Sequence, residues 1–245
     1  MSICYHLTIP PSPLAGCDAV VQEVQALQGR FGGRISHLYP GRKPGTRFPR
    51  RLWGMMRGPA LCWMERQIKV HHLYNPDPYP FAVLRFLRRP VIYTVSAGVQ
   101  PGDRANAQRL ARRVQTLVVA TAAEQSLLRC WQVDNVAVVR PGISPAHFTS
   151  APPPVGLPPT LLMGSAPWTR EQFRTKGVDA LLDLAQHWPE LHLIFLWRGV
   201  LYAEMMQRVH ALGLDDRVEV INEQVDVNAV LVRVHAAIIL ATEDA

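Results

Sequence analysis

The feature that most constrains this chain is an alternation in its second half. Apolar runs at Leu161–Met163, Leu191–Trp197, Arg217–Ile221 and Ala237–Ala241 are separated by stretches whose apolar residues recur at helical spacing. After Gly177 they fall at Val178, Leu181, Leu182 and Ala185. After Gly199 they fall at Tyr202, Met205, Met206, Val209 and Leu212, closed by Gly213. The third set is Val227, Val230, Leu231 and Val234. A continuous apolar run is a strand buried on both faces, and such strands interleaved with amphipathic helices build a parallel sheet with helices on each side. The expected class is therefore α/β. Ligands of these sheets sit beyond the carboxyl ends of the strands.

One such end carries unusual charge. The run Leu161–Met163 stops at Gly164-Ser165, and the loop that follows holds Arg170, Arg174 and Lys176 before Gly177 opens a helix. A helix N-terminus presents unpaired N–H groups and a partial positive charge, which suits phosphate. Cations added there make a candidate diphosphate site. The plain alternative is a solvated βα loop with ordinary surface cations.

The first half reads in the same idiom. Ile3–Ile9 is a short apolar strand that runs into Pro10-Pro-Ser-Pro13 and a loop containing Gly16. Asp18 is a good N-cap for a helix showing Val20, Val24, Leu27 and Phe31 on one face, stopped by Gly32-Gly33. Strands follow at Ile35–Tyr39, from Val70, from Val91 and at Leu117–Thr121, with helices predicted from Phe81 and over Ala122–Trp131. Ser150–Pro159 holds five prolines and reads as a stiff linker. The expected organisation is residues 1–149 as one domain, 150–159 as linker and 160–245 as a second domain.

Charge is concentrated. The net charge is +7, and the segment from Arg42 to Lys69 holds Arg42, Lys43, Arg47, Arg50, Arg51, Arg57, Arg66 and Lys69 against the single acid Glu65, so it accounts for all of it. Phe48, Leu52, Trp53, Met55, Met56, Leu61, Trp63 and Met64 are interleaved. Such a segment can dock on an anionic membrane surface, can bind nucleic acid, or is a solvated face over a partly buried helix. No nucleic-acid motif accompanies it, so no nucleic-acid partner is expected. The four cysteines form no Cys-x-x-Cys pair, which argues against a zinc framework or a disulfide scaffold and for a reducing cytoplasm. Neither a charged n-region with an apolar core nor a bilayer-length apolar run is present, so the protein is expected in the cytoplasm or peripherally at the inner face of the membrane.

Several pieces together resemble the retaining glycosyltransferases of family 4, whose architecture of two Rossmann-like domains is called GT-B. The matching stretches are Val138-Val-Arg-Pro-Gly-Ile-Ser-Pro-Ala-His-Phe148, Leu161-Leu-Met-Gly164, Lys176-Gly-Val-Asp-Ala-Leu-Leu182, Trp188-Pro-Glu-Leu-His-Leu-Ile194 and Leu212-Gly-Leu-Asp-Asp-Arg-Val218. The resemblance implies a GT-B-like α/β fold with parallel sheets and a second domain that is incomplete. It implies transfer of a sugar from a UDP- or GDP-sugar to a saccharide or lipid-linked acceptor, with retention at the anomeric carbon and with no metal or other cofactor. Lys176 matches the family lysine. The family arginine directly follows the strand's glycine, where this chain has Ser165, so Arg170 or Arg174 takes that part. Gly164, Ser165, Gly177 and Arg198 stand at donor-binding positions. On the acceptor side the resemblance points to Gly16, to His72 and Asn75 at the end of one strand, and to Ser96, which replaces a histidine common in relatives. His71 or His72 is left to substitute for that histidine. Gly16 is equally explained as a glycine needed for a turn.

Negative charge grows on the departing diphosphate, so fixed cations aimed there stabilise the transition state more than the ground state. The family completes its donor site with two glutamates separated by seven residues. Glu243 stands in the place of the first, and the chain ends at Ala245 before the second. On this reading the chain is a truncated reading frame or a fragment, with weak or no activity expected. A non-catalytic nucleotide-sugar-binding or membrane-docked module is the alternative. Another nucleotide enzyme on a doubly wound sheet, an epimerase or dehydrogenase, is disfavoured because no Gly-x-Gly-x-x-Gly follows the first strand.

Overall fold

The computed structural model describes residues 2–8, 18–39, 49–55, 58–142, 155–167, 169–197, 201–222 and 226–240. The chain divides into two compact units, Met1–Ile143 and Ser144–Ala245.

In the first unit β1 (Ile3–Leu7), β2 (Arg34–His37), β3 (Val70–Asn75), β4 (Val91–Val95), β5 (Thr116–Val119) and β6 (Val136–Val138) form one sheet in the order β2-β1-β3-β4-β5-β6. Every pairing is parallel. The chain leaves β1 for one edge, returns past it to β3 and continues to the other edge, so a switch point lies between β1 and β3. Right-handed crossovers place α1 (Ala19–Phe31) on one face and α2 (Gly58–Met64), α3 (Arg104–Ala111) and α4 (Ala122–Cys130) on the other. The packing follows this division. Tyr5, Leu7 and Tyr74 meet Val21 and Val24 of α1, while Leu73, Tyr93 and Leu117 meet Leu61, Leu110 and Leu128.

Asp18 caps α1 as expected, its carboxylate accepting from the N–H groups of Val20 and Val21 at 3.0 and 3.2 Å. Val24 is buried with Val21, Val20 and Leu27 pack partly buried against the same cluster, and of the expected face only Phe31, in the last turn, is exposed, at 52%. The helix predicted from Phe81 is a 3-10 turn, Ala82–Arg85. Pro80 and Pro90 bracket this turn.

In the second unit β7 (Thr160–Met163), β8 (His192–Trp197), β9 (Val218–Asn222) and β10 (Ala236–Ala237) order as β10-β7-β8-β9, again all parallel. The short α5 (Gln172–Thr175), α6 (Val178–His187) and α7 (Tyr202–Ala211) cover one face. Their core is Met163, Phe173, Leu181, Phe195, Trp197 and Met205. The helix α8 (Val227–Leu231) carries the chain back across the other face, where Val230 and Val234 meet Leu162 and Ile194. Here the switch point lies between β7 and β10. The strand expected over Ala237–Ala241 is two residues long, prolonged by an Ile238 N–H to Leu162 O bond of 2.8 Å. β7 is its one neighbour among the described residues.

Candidate functional site

The donor-side candidates gather at the carboxyl edge of the second sheet. β7 ends at Met163, and Gly164, Ser165 and Ala166 run along that edge at the switch point. Gly164 is exposed and Ser165 partly so. Downstream, α5 is pinned by Phe173, which is fully buried with its ring 5.8 Å from that of Trp197. With Phe173 inward, Arg174 projects to the surface and Lys176 turns back toward the strand end. Lys176 is half-buried, and its Nζ donates to Ala166 O at 3.1 Å. The ammonium group is thus held against the loop that leaves β7, immediately before α6.

Gly177 has φ +79, in the left-handed region, and is buried. A Cβ added there would lie 2.5 Å from Leu240 Cβ. Its N–H donates to Arg174 O at 3.0 Å. Gly177 therefore offers no free amide to a phosphate. It makes the tight turn that lets Leu240, just past β10, close over the start of α6.

The two arginines differ. Arg170 is 81% exposed and its Nε donates to Glu204 at 2.9 Å. Glu204 also receives Arg208, whose other branch meets Asp179 at 2.6 Å and whose guanidinium lies 4.0 Å over the Phe173 ring. This chain of charges ties α7 to α5 and α6, and Arg170 is its outer end. The arginine hydrogen bonds, Arg170 first, hold the Glu204 carboxyl below its ordinary value. Arg174 has an exposed side chain beside Lys176 in sequence and no ion pair among the described residues. Arg198 and Glu243 lie outside the described residues.

The carboxyl edge of the first sheet brings together Asn75 and Ser96, the latter donating its N–H to Asn75 O at 2.9 Å. Ser96 is exposed, at the end of β4. The Asn75 side chain is buried and occupied. Its Oδ1 accepts from Thr8 Oγ1 at 2.5 Å and from Arg50 at 3.2 Å, and its Nδ2 donates to Asp77 Oδ1 at 2.7 Å. Arg50 in turn pairs with Asp77, 2.9 Å for one branch, and lies 4.5 Å over the Tyr79 ring. Thr8 and Asp77 belong to no sequence motif, and Arg50 stands out only as one cation of the basic segment. The available signal is that Asp77 sits between Pro76 and Pro78, whereas Thr8 falls inside the expected strand Ile3–Ile9 and follows the observed one, which ends at Leu7.

His72 is not at the strand end. It lies mid-strand, its ring 4.3 Å from Tyr74 and 6.0 Å from Tyr5, with Nε2 2.8 Å from Thr94 Oγ1. Burial pushes its pKa down to about 4, so the imidazole is neutral at physiological pH. His71 points to the opposite face and is fully buried against His6 and Glu65, which removes it as a substitute base on an open edge. Gly16 lies outside the described residues.

The basic segment is described over 49–55 and 58–69. Arg50 is committed to Asp77, Trp53 packs edge-on to Tyr39 at 5.0 Å, and Leu61 is buried. Trp63 is 68% exposed, with Arg66 and Lys69 exposed nearby in sequence. Among the described residues of the segment Leu61 is core and Trp53 and Met64 pack partly buried against it, while Leu52 and Trp63 face outward. Among the described residues no helix is long and apolar enough to cross a membrane.

No protein-family model matches this chain, and no curated protein matches it by sequence. Solved structures do. A glycosyltransferase from Rickettsia africae ESF-5 matches 98% of this chain and 73% of its own, at 11% identity and TM-score 0.56. WaaG, a glycosyltransferase involved in lipopolysaccharide biosynthesis, matches over 96% and 74%, at 12% identity and TM-score 0.63. The UDP-GlcNAc 2-epimerase from Neisseria meningitidis, bound to UDP-GlcNAc, matches over 97% and 77%, at 12% identity and TM-score 0.61. An epimerase fits as well as the transferases do, so the fold does not separate the two chemistries. At these identities the likeness shows the fold, an α/β chain of the GT-B kind built on two parallel Rossmann-like sheets.

Proposed function

We propose that this chain belongs to a glycosyltransferase that moves a sugar from a UDP- or GDP-sugar to a saccharide or lipid-linked acceptor, with retention at the anomeric carbon. The observation that carries the reading is the position of Lys176. Its ammonium is half-buried at the carboxyl edge of β7, beside the switch point of the second sheet, and is held by Ala166 O. Open α/β sheets take their ligands at that kind of place. A fixed cation there opposes the charge that develops on a leaving diphosphate, and does so without reorganising as the bond breaks. Arg174 is the better companion, since Arg170 already serves Glu204. The proposed transfer uses these cations and no metal.

On the acceptor side Ser96 is the exposed hydroxyl at the edge and donates to a sugar oxygen, while Asn75, Thr8, Arg50 and Asp77 shape the strand end beneath it. His72 serves as packing and not as a base. Trp63 with Arg66 and Lys69 supplies a contact to an anionic membrane at its cytoplasmic face, where a lipid-linked acceptor would be found.

The match to UDP-GlcNAc 2-epimerase supports a second reading, epimerisation of the nucleotide sugar itself. One experiment tests both. The purified chain is incubated with UDP- and GDP-sugars, with and without saccharide acceptors, and products are followed by mass spectrometry and NMR. Transfer releases nucleoside diphosphate and mass-shifted acceptor. Epimerisation leaves the nucleotide sugar's mass unchanged and alters one ring proton. Binding of a nucleotide sugar with neither product favours the non-catalytic module.

A further inference from the structure

The parallel pairing of β1 with β3 places Cys4 opposite His71. Alternation along β1 then puts His6 on the same face as Cys4, away from Tyr5 and Leu7. The result is a thiol and two imidazoles inside the first unit, with Cys4 at 0%, His6 at 1% and His71 at 0% exposure. Choosing one donor atom per residue, all three lie within 4.8 Å of one another. They are the one such group of His, Cys, Asp and Glu donors among the described residues.

The hydrogen bonds assign the tautomers. Glu65 Oε1 lies 3.2 Å from His71 Nε2 and also accepts the N–H groups of Arg88 and Arg89 at 2.6 and 3.3 Å. An acceptor so placed fixes the proton of His71 on Nε2 and leaves a lone pair on Nδ1. That Nδ1 faces His6 Nε2 at 2.9 Å, and His6 Nδ1 faces Cys4 Sγ at 4.0 Å. A carboxylate that holds the far nitrogen of an inward-facing histidine is the usual outer support of a metal-ligating imidazole.

We propose that Cys4, His6 and His71 bind a thiophilic d10 cation, Zn2+ or Cu+, inside the N-terminal unit, with Glu65 orienting His71 as a positioning residue. Thiolate and imidazole are the donors these ions prefer. Tetrahedral Zn2+ wants its nitrogens about 3.3 Å apart and sulfur about 3.6 Å from each. In the present geometry His6 Nε2 and His71 Nδ1 are already 2.9 Å apart, while Cys4 Sγ, 4.0 Å from His6 Nδ1, has to move to the Nε2 side of that ring to join them. The protons balance. The His71 proton stays on Nε2, the His6 proton moves from Nε2 to Nδ1, the Cys4 S–H proton leaves to solvent, and the cation takes the vacated lone pairs. Without a cation, burial pushes the Cys4 thiol up to about 11 and keeps it protonated. Bound, the ion staples β1 to β3. The proposal is independent of the sugar-transfer reading.

The test uses the full chain. It is expressed with zinc or copper supplied, desalted, and its metal measured by plasma mass spectrometry. About one ion per chain is expected, with release of one proton on reloading the stripped protein. Cys4→Ala and His71→Gln should lose the ion. Glu65→Gln keeps every ligand atom and should weaken affinity about 10- to 100-fold. The stripped wild-type chain is also titrated with Co2+, whose thiolate charge-transfer band reports a sulfur ligand even if the variants fail to fold. Retention of zinc alone or copper alone names the ion. A chain that retains neither and gives no Co2+–thiolate band overturns the proposal, leaving Cys4, His6, His71 and Glu65 as a hydrogen-bonded chain.

Discussion

Replacing Gly177 with alanine should cost more stability than any other glycine-to-alanine change tested in the second unit, and two controls separate the reasons. At Gly213 the backbone has φ +66 and nothing lies within 4 Å of an added Cβ, so Gly213→Ala measures the left-handed backbone alone, about 1 kcal/mol. At Gly177 the φ is +79 and the added Cβ also meets Leu240 Cβ at 2.5 Å, well inside contact distance. The atom met is Leu240 Cβ, which moves only with its backbone, so the clash adds an overpacking cost of about 1–3 kcal/mol. Gly164→Ala has neither problem and should stay within about 0.5 kcal/mol. In a unit of this size each kcal/mol moves the melting temperature by about 4–8 °C. The assay is urea and thermal unfolding of the full chain, followed by circular dichroism. If Gly177→Ala is no more destabilising than Gly213→Ala, Leu240 does not close over the start of α6.

Other outcomes follow from single contacts. His72 has its folded pKa lowered to about 4 by burial, below an ordinary 6.5. The unfolded chain therefore takes up its proton first as pH falls, so the stability due to this residue is complete above 6.5, declines between 6.5 and 4 and is flat below. Since the ring keeps a partly exposed edge, the decline is about 2–3 kcal/mol, and His72→Gln should flatten it; an unchanged slope in pH-dependent unfolding counts against the buried neutral imidazole. Arg174→Ala should reduce sugar transfer at least about 10-fold, whereas Arg170→Ala, which breaks an exposed pair with Glu204, should leave it within about 3-fold. The reverse order in a donor-turnover assay would transfer the role to Arg170. Arg50→Ala removes a half-buried pair with Asp77 and stacking on Tyr79, so unfolding should become easier by about 1–2 kcal/mol. A loss under about 0.3 kcal/mol would show that the strand end holds without it.

Local pattern made most of this fold legible. Apolar runs bounded by glycine gave β7 and β8, Asp18 gave the start of α1, and alternation gave parallel sheets. The misses are contacts between residues far apart in sequence. Nothing near Arg170 announces that Glu204 will take it, and nothing near Gly177 announces Leu240. His71 and His72 are neighbours with the same chemistry, yet the strand sends one to Glu65 and His6 and the other to Tyr5 and Tyr74. Only the register of β3 against β1 decides which is which. Within the basic segment the same holds, since Trp53 finds Tyr39 just beyond β2 and Arg50 finds Asp77 on the loop after β3.

Lys176 carries the functional claim, and its substitution tests it most directly. Lys176→Ala, shown to be folded by circular dichroism, is compared with the wild-type chain for release of nucleoside diphosphate from the best UDP- or GDP-sugar in the presence of acceptor. The account predicts turnover lower by about 10²-fold or more, the scale of losing one preorganised group at a developing charge. Turnover equal to wild type would contradict it.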